Sequence, residues 1–296
     1  MKKLSKLTAL LLALALTLSL AACSTSGGEG TQPPADDKTQ APETQPAQGG
    51  DQKFVVGISQ FVTHDALDAA TEGFKDALNK LLPGQVEFLY QNAAEDPAVC
   101  STIAQDFVSK KVDLIMANAT PALQAAAAAT GDIPILGTSV TEYGVAFGIK
   151  DFSGTLGNNV SGTSDLAPLD QQAQMIKDWY PDAKNIGLLY CSNEDNSQYQ
   201  VDTVQKYLEG MGYTCKQYAF SDSNDISAVC QTAADASDVL YVPTDNSAAS
   251  NKGVIDNICH GNIPVFCGEE GICAGCGVAT LSISYYDIGY KTGEMA

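Results

Sequence analysis

Arginine is absent from this chain of 296 residues, and 16 lysines face 35 acidic residues, which gives a net charge of −19 at pH 7. Nucleic-acid binding depends on basic side chains that neutralise phosphates, so the charge balance predicts no nucleic-acid partner. The bidentate guanidinium fork that holds carboxylates in many binding sites is excluded as well. Any anionic group of a ligand must therefore be held by hydroxyls, lysine or backbone N–H groups.

Histidine is scarce too, since His64 and His260 are the only two. Neither has a second ligand at the spacing of a metal site, and the chain lacks the nucleophile-elbow, P-loop and zinc-protease motifs. From these absences we predict no catalytic residue, no metal site and no cofactor, and we expect a protein that is not an enzyme.

Cysteine, in contrast, is plentiful. Besides one near the N-terminus there are eight: Cys100, Cys191, Cys215, Cys230, Cys259, Cys267, Cys273 and Cys276. In an exported protein an even number permits four disulfides, whereas buried free thiols behave as small apolar residues. The C-A-G-C sequence at 273–276, predicted to lie in a glycine-rich crossover loop, also permits a metal or redox centre with Cys259, His260 and Cys267. The sequence leaves these three alternatives open.

The first 22 residues have the pattern of a secretory signal peptide. Lysines precede an apolar stretch at residues 7–20, which is too short to span a bilayer with margin. The L-A-A-C sequence at 20–23 is the lipobox pattern, at which a lipoprotein precursor is cleaved and acylated on the cysteine. We therefore predict that Cys23 carries a lipid that anchors the protein on the extracytoplasmic face of the cell membrane.

Residues 23–52 are rich in Gly, Ser, Thr, Gln, Pro and acidic residues and contain no aromatic residue. Such a segment cannot bury enough apolar surface to offset the entropy lost on folding, so we predict a disordered tether. A tether of this kind would let a folded domain move in a shell around its membrane anchor.

From residue 53 onward, short apolar runs alternate with amphipathic helical patterns, which predicts an α/β fold with parallel sheets. Candidate strands cover residues 54–59, 86–90, 112–117 and 133–137, and then 186–190, 214–220, 239–242 and 264–267. The two sets follow one plan: A-V-C occurs at Cys100 and at Cys230, and I-P at Pro134 and at Pro264, in each case 130 residues apart. A repeat of this length indicates a duplicated domain.

The repeat predicts two lobes. Residues 53–160 with 279–296 are expected to form lobe I, and residues 161–278 lobe II. An apolar run at 278–283 is expected to return to lobe I as a strand. The sequence ends inside a helical pattern without a stop signal, so we expect a further C-terminal segment to be missing.

Polar loops follow the predicted strands, and ligands of open α/β sheets bind at the carboxyl ends of the strands, here in a cleft between two lobes. A helix N-terminus with a hydroxyl cap binds an anion without arginine. We therefore predict that a ligand carboxylate meets Thr120, Thr138 and Ser139, with Thr120 as the cap of a helix. A ligand ammonium is expected at Asp245, with Glu269 as the next candidate.

The rest of the cleft is predicted to be lined by polar residues from the same loops and from the crossover between the lobes. These are Gln60, His64, Asp165, Asn193, Asn196 and Asn246.

Long motifs carry a family resemblance: G-I-S-Q-F-V-T-H-D-A-L-D-A-A-T-E-G-F at 57–74, T-P-A-L-Q-A at 120–125, D-I-P-I-L-G-T-S-V-T at 132–141, V-S-G-T-S-D-L-A-P-L-D-Q-Q at 160–172, Y-V-P-T-D-N at 241–246 and G-E-E-G at 268–271. With these motifs the chain resembles the type I solute-binding lipoproteins of ABC importers, and within them the tryptophan/tyrosine-type branch. The likeness covers everything after Phe54. The C-A-G-C stretch is not part of the usual pattern.

The resemblance implies two Rossmann-like lobes, each a parallel sheet with helices on both faces, that close around a ligand without a cofactor. It implies an aromatic or other apolar amino acid as ligand, an ABC permease as partner, and a monomer. Two alternatives remain: a sugar- or nucleoside-binding protein of the same fold, and an exported thiol or metal enzyme built on Cys273 and Cys276.

Overall fold

The computed structural model describes residues 53–296. The predicted signal peptide, the tether and Cys23 lie outside the described residues. Among residues 53–296, no helix combines the length and the apolar character that a segment crossing a bilayer needs.

Lobe I is built on a parallel sheet in the order β2-β1-β3-β4-β5. Its strands are β1 (Phe54–Gln60), β2 (Val86–Asn92), β3 (Leu114–Asn118), β4 (Ile135–Val140) and β5 (Val160–Ser164). Its helices are α1 (Asp65–Leu81), α2 (Pro97–Lys110), α3 (Thr120–Ala129) and the short α4 (Tyr143–Ala146).

Lobe II repeats this topology with the order β10-β9-β8-β6-β7. Its strands are β6 (Asn185–Cys191), β7 (Thr214–Phe220), β8 (Val239–Val242), β9 (Val265–Cys267) and β10 (Ala279–Thr280). Its helices are α5 (Leu169–Trp179), α6 (Asp195–Gly210), α7 (Ile226–Ala236), α8 (Asn246–Ser250), α9 (Lys252–Cys259) and α10 (Glu270–Cys276). A last helix, α11 (Tyr285–Met295), packs on α1 of lobe I.

Each sheet is covered by helices on both faces, so its central strands are apolar throughout. All four residues of β8 are buried, for example. The predicted repeat is confirmed: Cys100 and Cys230 are buried at equivalent places in α2 and α7, and Pro134 and Pro264 directly precede β4 and β9. The fold is that of the type I periplasmic binding proteins.

Two local predictions need correction. The run at 278–283 does not return to lobe I as a strand, because Ala279 and Thr280 pair with β9 in the sheet of lobe II. β5, at the other crossover, belongs to the sheet of lobe I, so the sheets change after Ser164 and after Thr280 rather than after residues 160 and 278. The C-A-G-C stretch forms the end of helix α10, not a loop.

Helix α11 lies unusually close to α1 because glycines stand at the contact. A Cβ atom on Gly289 would overlap the carbonyl of Ala70, and one on Gly73 would overlap the carbonyl of Tyr286. A Cβ atom on Gly293 would come within 2.6 Å of the Cβ of Ala77. This contact fixes the start of α11, and with it Tyr285, against lobe I.

Candidate functional site

A cavity lies between the lobes at the carboxyl ends of strands from both sheets, the position predicted from the loops. It is lined by His64, Leu67, Ser139, Thr141, Asp165, Asn196, Thr244, Asp245, Asn246, Ala249, Glu269 and Tyr285. The free space is only about 10 Å³, about enough for one water molecule. A larger ligand can enter only if the lobes separate or the lining side chains move.

Lobe I contributes hydroxyls to the cavity. Ser139, near the end of β4, is buried and has a φ of 54°, a left-handed conformation that a non-glycine residue adopts only under constraint. The Ser139 hydroxyl has no hydrogen-bond partner among the described residues. Thr141 follows two residues later and also lines the cavity.

Asp165 follows β5 in the crossover and is almost completely buried. Its Oδ2 accepts a 2.9 Å hydrogen bond from the hydroxyl of Tyr285 at the start of α11. Its Oδ1 has no partner within residues 53–296. Burial raises the pKa of the Asp165 carboxyl, although the hydrogen bond from Tyr285 opposes the shift.

Asp245 is buried as well, but both of its oxygens are engaged. As the N-cap of α8, its Oδ1 accepts from the backbone N–H of Ala248 at 2.7 Å, and its Oδ2 accepts from the backbone N–H of Cys191 at 2.7 Å. Burial, and next the negative charge of Glu194, raise the pKa of Asp245 to about 8. The side chain therefore holds the loop after β8 in place while it lines the cavity.

Glu269 plays the same structural part after β9. Its two oxygens accept from the backbone N–H groups of Gly271 at 2.6 Å and Ile272 at 2.5 Å, which caps α10. Burial raises the pKa of Glu269, and these backbone hydrogen bonds oppose the shift.

His64 and Asn246 meet across the cavity, one from each lobe. The Nε2 of His64 lies 3.1 Å from the Oδ1 of Asn246. The Nδ2 of Asn246 donates to Glu194 at 2.6 Å, so its Oδ1 is the atom that accepts from the histidine. Burial lowers the pKa of His64, which favours the neutral ring.

Asn196, in the first turn of α6, presents its carbonyl oxygen without a partner. Its Nδ2 donates to Glu194 at 3.1 Å and to the carbonyl of Thr244 at 3.3 Å, and these two acceptors fix the orientation of the amide. Within the described residues its Oδ1 is unpaired. Since buried polar atoms are nearly always hydrogen-bonded, an unpaired one calls for an explanation.

The structure brings together seven of the eleven predicted ligand-binding residues and leaves four elsewhere. Gln60 is bound by Thr71 and Asp68 of α1. Thr120 is not the cap of α3; it is the first helical residue, behind Ala119. The hydroxyl of Thr138 lies near that of Thr163. The side-chain amide of Asn193 donates to the carbonyl of Ser221. None of these four is among the described residues that line the cavity.

Sequence reasoning missed five lining residues. Thr141 and Thr244 lie in loops that the motifs already marked, next to predicted residues. Leu67 and Ala249 give the cavity its small apolar wall. Tyr285 carried no signal, because it is 120 residues away from the aspartate that it binds.

Other contacts join the lobes around the cavity. Lys252 of α9 forms an ion pair with Asp65 of α1, and the hydroxyl of Ser247 donates to Glu95. Gln124 of α3 also donates to Asp195 of α6, at 3.1 Å. These contacts describe a closed arrangement.

All eight cysteines within residues 53–296 are free thiols. In the same part of the chain, no group of three or more Cys, His, Asp or Glu side chains is arranged to hold a metal ion.

Comparisons with known proteins agree with this geometry. A tyrosine-binding protein of Clostridioides difficile (strain R20291) is 39% identical over 245 residues, which is 81% of this chain and 71% of that protein. A crystal structure of an ABC domain from Streptococcus pneumonia in complex with L-Trp is 31% identical, covers 82% of this chain and 83% of its own, and superposes with a TM-score of 0.79.

A ligand-free, open structure of a substrate-binding protein with adhesive properties from Clostridium difficile is 39% identical and covers 82% of this chain and 83% of its own. Its TM-score is nevertheless only 0.58. The chain thus resembles the tryptophan complex more than the open structure, although it is less similar to the former in sequence. This difference agrees with a closed arrangement of the lobes.

The family model described as ABC transporter substrate binding protein matches residues 55–296, nearly everything that the structure describes. With its two parallel sheets and its cavity between the lobes, the chain belongs to the family of ABC transporter substrate-binding proteins.

Proposed function

We propose that this protein is a lipid-anchored, extracytoplasmic binding protein that captures an amino acid with an aromatic side chain and delivers it to an ABC importer. The observation that carries the proposal is the convergence of three unpaired buried polar atoms on one cavity: the Ser139 hydroxyl, Asp165 Oδ1 and Asn196 Oδ1. Leaving such atoms without partners costs free energy, and a polar ligand would supply the missing hydrogen bonds.

The ammonium of the ligand is assigned to Asp165. The cavity holds three carboxyl groups and, among the described lining residues, no lysine. Asp245 and Glu269 are already occupied by backbone N–H groups, whereas Asp165 has a free oxygen. An ammonium has three N–H donors, so Asn196 Oδ1 can accept a second one.

The carboxylate of the ligand is assigned to the Ser139 hydroxyl and nearby backbone N–H groups. The chain contains no arginine, so a guanidinium fork is excluded. A zwitterion that is buried must be satisfied at both ends, and donors and acceptors are both present in this cavity.

The side chain of the ligand is proposed to be aromatic. Support comes from the relatives, of which one is named a tyrosine-binding protein and another was crystallised with L-Trp. Leu67, Ala249 and the ring of Tyr285 give the cavity apolar surface on which such a side chain can pack.

A binding screen tests the function. Unfolding temperature is measured for the full chain with each of the twenty amino acids, and with sugars and nucleosides as the competing class. A ligand present at a hundred times its Kd adds about 2.7 kcal/mol to the free energy of unfolding, so stabilisation by tyrosine or tryptophan is expected to be plain. Stabilisation by a sugar or nucleoside alone would contradict the proposal.

The membrane anchor rests on the L-A-A-C sequence that ends at Cys23. Substitution Cys23→Ser is expected to release the protein from membranes into the medium, measured by fractionation. The control variant Ser24→Ala leaves the acylated position intact and is expected to stay on the membrane. Retention of the Cys23→Ser protein would contradict the anchor without affecting the ligand-binding proposal.

A further inference from the structure

Six of the seven cysteines of lobe II belong to one apolar cluster or pack against it. Cys191, Cys230, Cys259 and Cys267 are part of this cluster, and Cys273 and Cys276 pack against it from the surface. The ligand cavity uses none of these six thiols.

Two pairs of these thiols are close together. The sulfur atoms of Cys230 and Cys259 are 3.8 Å apart, but the two residues are 0% and 1% exposed, so a solution oxidant has little direct access to them. Cys267 and Cys273 form the second pair. A Cβ atom on Gly277 would lie 2.6 Å from the sulfur of Cys267 and 3.0 Å from that of Cys273, so both sulfurs crowd the same point.

Cys273 is the most exposed thiol of the two pairs, since Cys230, Cys259 and Cys267 are all buried. Cys273 is half-buried and lines an open hollow on the surface of lobe II, together with Cys276, residues of the turn after α9 and Cys259, of which only 1% is exposed. Cys267 lies directly beneath it at the end of β9. An oxidant that enters the hollow therefore meets Cys273 first and finds a second thiol behind it.

The Cys273 thiol is also the more acidic of the two. The neighbouring Cys267 thiol lowers the pKa of Cys273 to about 7. Cys215, which is half-buried on β7, is a useful contrast because burial raises its pKa to about 12. Only thiolates attack disulfides, so these two half-buried cysteines differ strongly in expected reactivity.

We propose that Cys273 and Cys267 form a site of oxidative modification, at which a small-molecule disulfide converts the two thiols into one intramolecular disulfide. The Cys273 thiolate attacks one sulfur of the small disulfide, whose S–S bond breaks and releases one thiolate. Cys267 then loses its proton to solvent and attacks the Cys273 sulfur, which expels the second thiolate. The protein loses two hydrogens, and the small disulfide is reduced to two thiols.

The bond would change the wall of the ligand cavity. Residues 268–272 lie between the two cysteines and include Glu269, whose carboxylate caps α10 and lines the cavity. A disulfide closes this segment into a ring and fastens β9 to α10.

The test treats the reduced full chain with oxidised glutathione at pH 7, blocks the remaining thiols with iodoacetamide at intervals, and maps the peptides by mass spectrometry. Cys273 is expected to react about a hundredfold or more faster than Cys215, from their different thiolate fractions with allowance for lower nucleophilicity. A peptide that joins Cys267 to Cys273 is expected to accumulate. Substitution Cys215→Ser is the matched control and leaves the rate unchanged.

In Cys267→Ala the reaction is expected to stop at a mixed disulfide between Cys273 and glutathione. Cys273→Ser, at a half-buried position, provides a second variant and is expected to abolish the linked peptide. The proposal is overturned if Cys215 or Cys276 reacts as fast as Cys273, if the unmodified chain accumulates only the glutathione adduct, or if Cys273 joins Cys276 instead.

Discussion

Lobe I and lobe II share one sheet topology, yet they present different chemistry to the cavity between them. In lobe II, Asp245 and Glu269 each follow a strand and cap the next helix, so their carboxylates are already bound by backbone N–H groups. On the side of lobe I, Ser139 and Asp165 keep a hydroxyl and a carboxylate oxygen unpaired. The comparison shows that a carboxylate after a strand can either stabilise a loop or bind a ligand. Its hydrogen-bond partners distinguish the structural role from the binding role.

The largest effect is expected for Asp165→Asn. This change replaces one of the two carboxylate oxygens with an amide NH2 group. It also removes the charge that attracts an ammonium. Breaking one half of a buried charged pair costs about 3–5 kcal/mol, so the affinity for tyrosine or tryptophan is expected to fall by about a hundredfold or more. Titration calorimetry measures the loss, with Asp182→Asn on the exposed surface as a control. Unchanged affinity would indicate that the ammonium binds to another carboxylate.

Asp245→Ala is expected to act mainly on stability. Sequence alone made Asp245 the ammonium partner, but removing its side chain leaves two buried N–H groups without acceptors. We expect the free energy of unfolding to fall by about 2–4 kcal/mol, measured by denaturant titration without ligand. Asp96→Ala removes an exposed cap of α2 and is expected to cost about 1 kcal/mol. Equal losses of unfolding free energy in Asp245→Ala and Asp96→Ala would contradict the expectation that the buried cap contributes more than the exposed one.

The pH dependence sharpens the same comparison. Burial raises the pKa of Asp245 to about 8, so the folded ligand-free protein binds a proton more tightly than the unfolded chain does. The stability from this proton is complete below about pH 4 and is lost as the pH rises through about 8. Asp165 and Glu269 shift in the same direction.

Ligand binding should follow the opposite trend, because an ammonium is attracted by the deprotonated carboxylates. Between pH 5 and pH 8 the ligand-free protein is expected to become less stable while its affinity for tyrosine rises, by at most about tenfold per pH unit. Thermal unfolding and calorimetry at the two pH values measure both. An affinity that falls over this range would argue against an ammonium at these carboxyl groups.

The smallest effect is expected at the ion pair between the lobes. Asp65 is well exposed, and ion pairs of this kind contribute about 0–1 kcal/mol. Lys252→Met is therefore expected to weaken binding a few-fold, because the pair stabilises only the closed arrangement. Lys110→Met breaks an ion pair within α2 and should leave the affinity unchanged. Equal effects would show that Lys252 does not act on closure.

The sequence predicted the strands well where apolar runs are bounded by polar turns. The bounds of β7 and β8 agree with the predicted ranges, because polar turn residues flank each run on both sides. The run at 278–283 was assigned to the wrong sheet, because an apolar run has the same sequence pattern in either sheet. Only the path of the crossover decides that Ala279 pairs with β9.

The site was predicted in part for a related reason. A loop after a strand can be located from sequence, but successive side chains point to opposite sides, and packing decides which of them reach the cavity. Ser139 reaches it, whereas its neighbour Thr138 lies beside Thr163. Tyr285 could not be found, because its contact with Asp165 depends on how α11 is docked.

The close contact of α1 and α11 limits which substitutions this part of the chain can tolerate during evolution. Gly73, Gly289 and Gly293 leave no room for a Cβ atom, so any substitution there pushes the two helices apart and draws Tyr285 away from Asp165. The outward face of α11, which carries the exposed Lys291 and Glu294, is under no such restriction. Selection for ligand capture would thus act on glycines that never touch the ligand, and a random-mutagenesis library sorted for binding should be depleted of changes at these three positions.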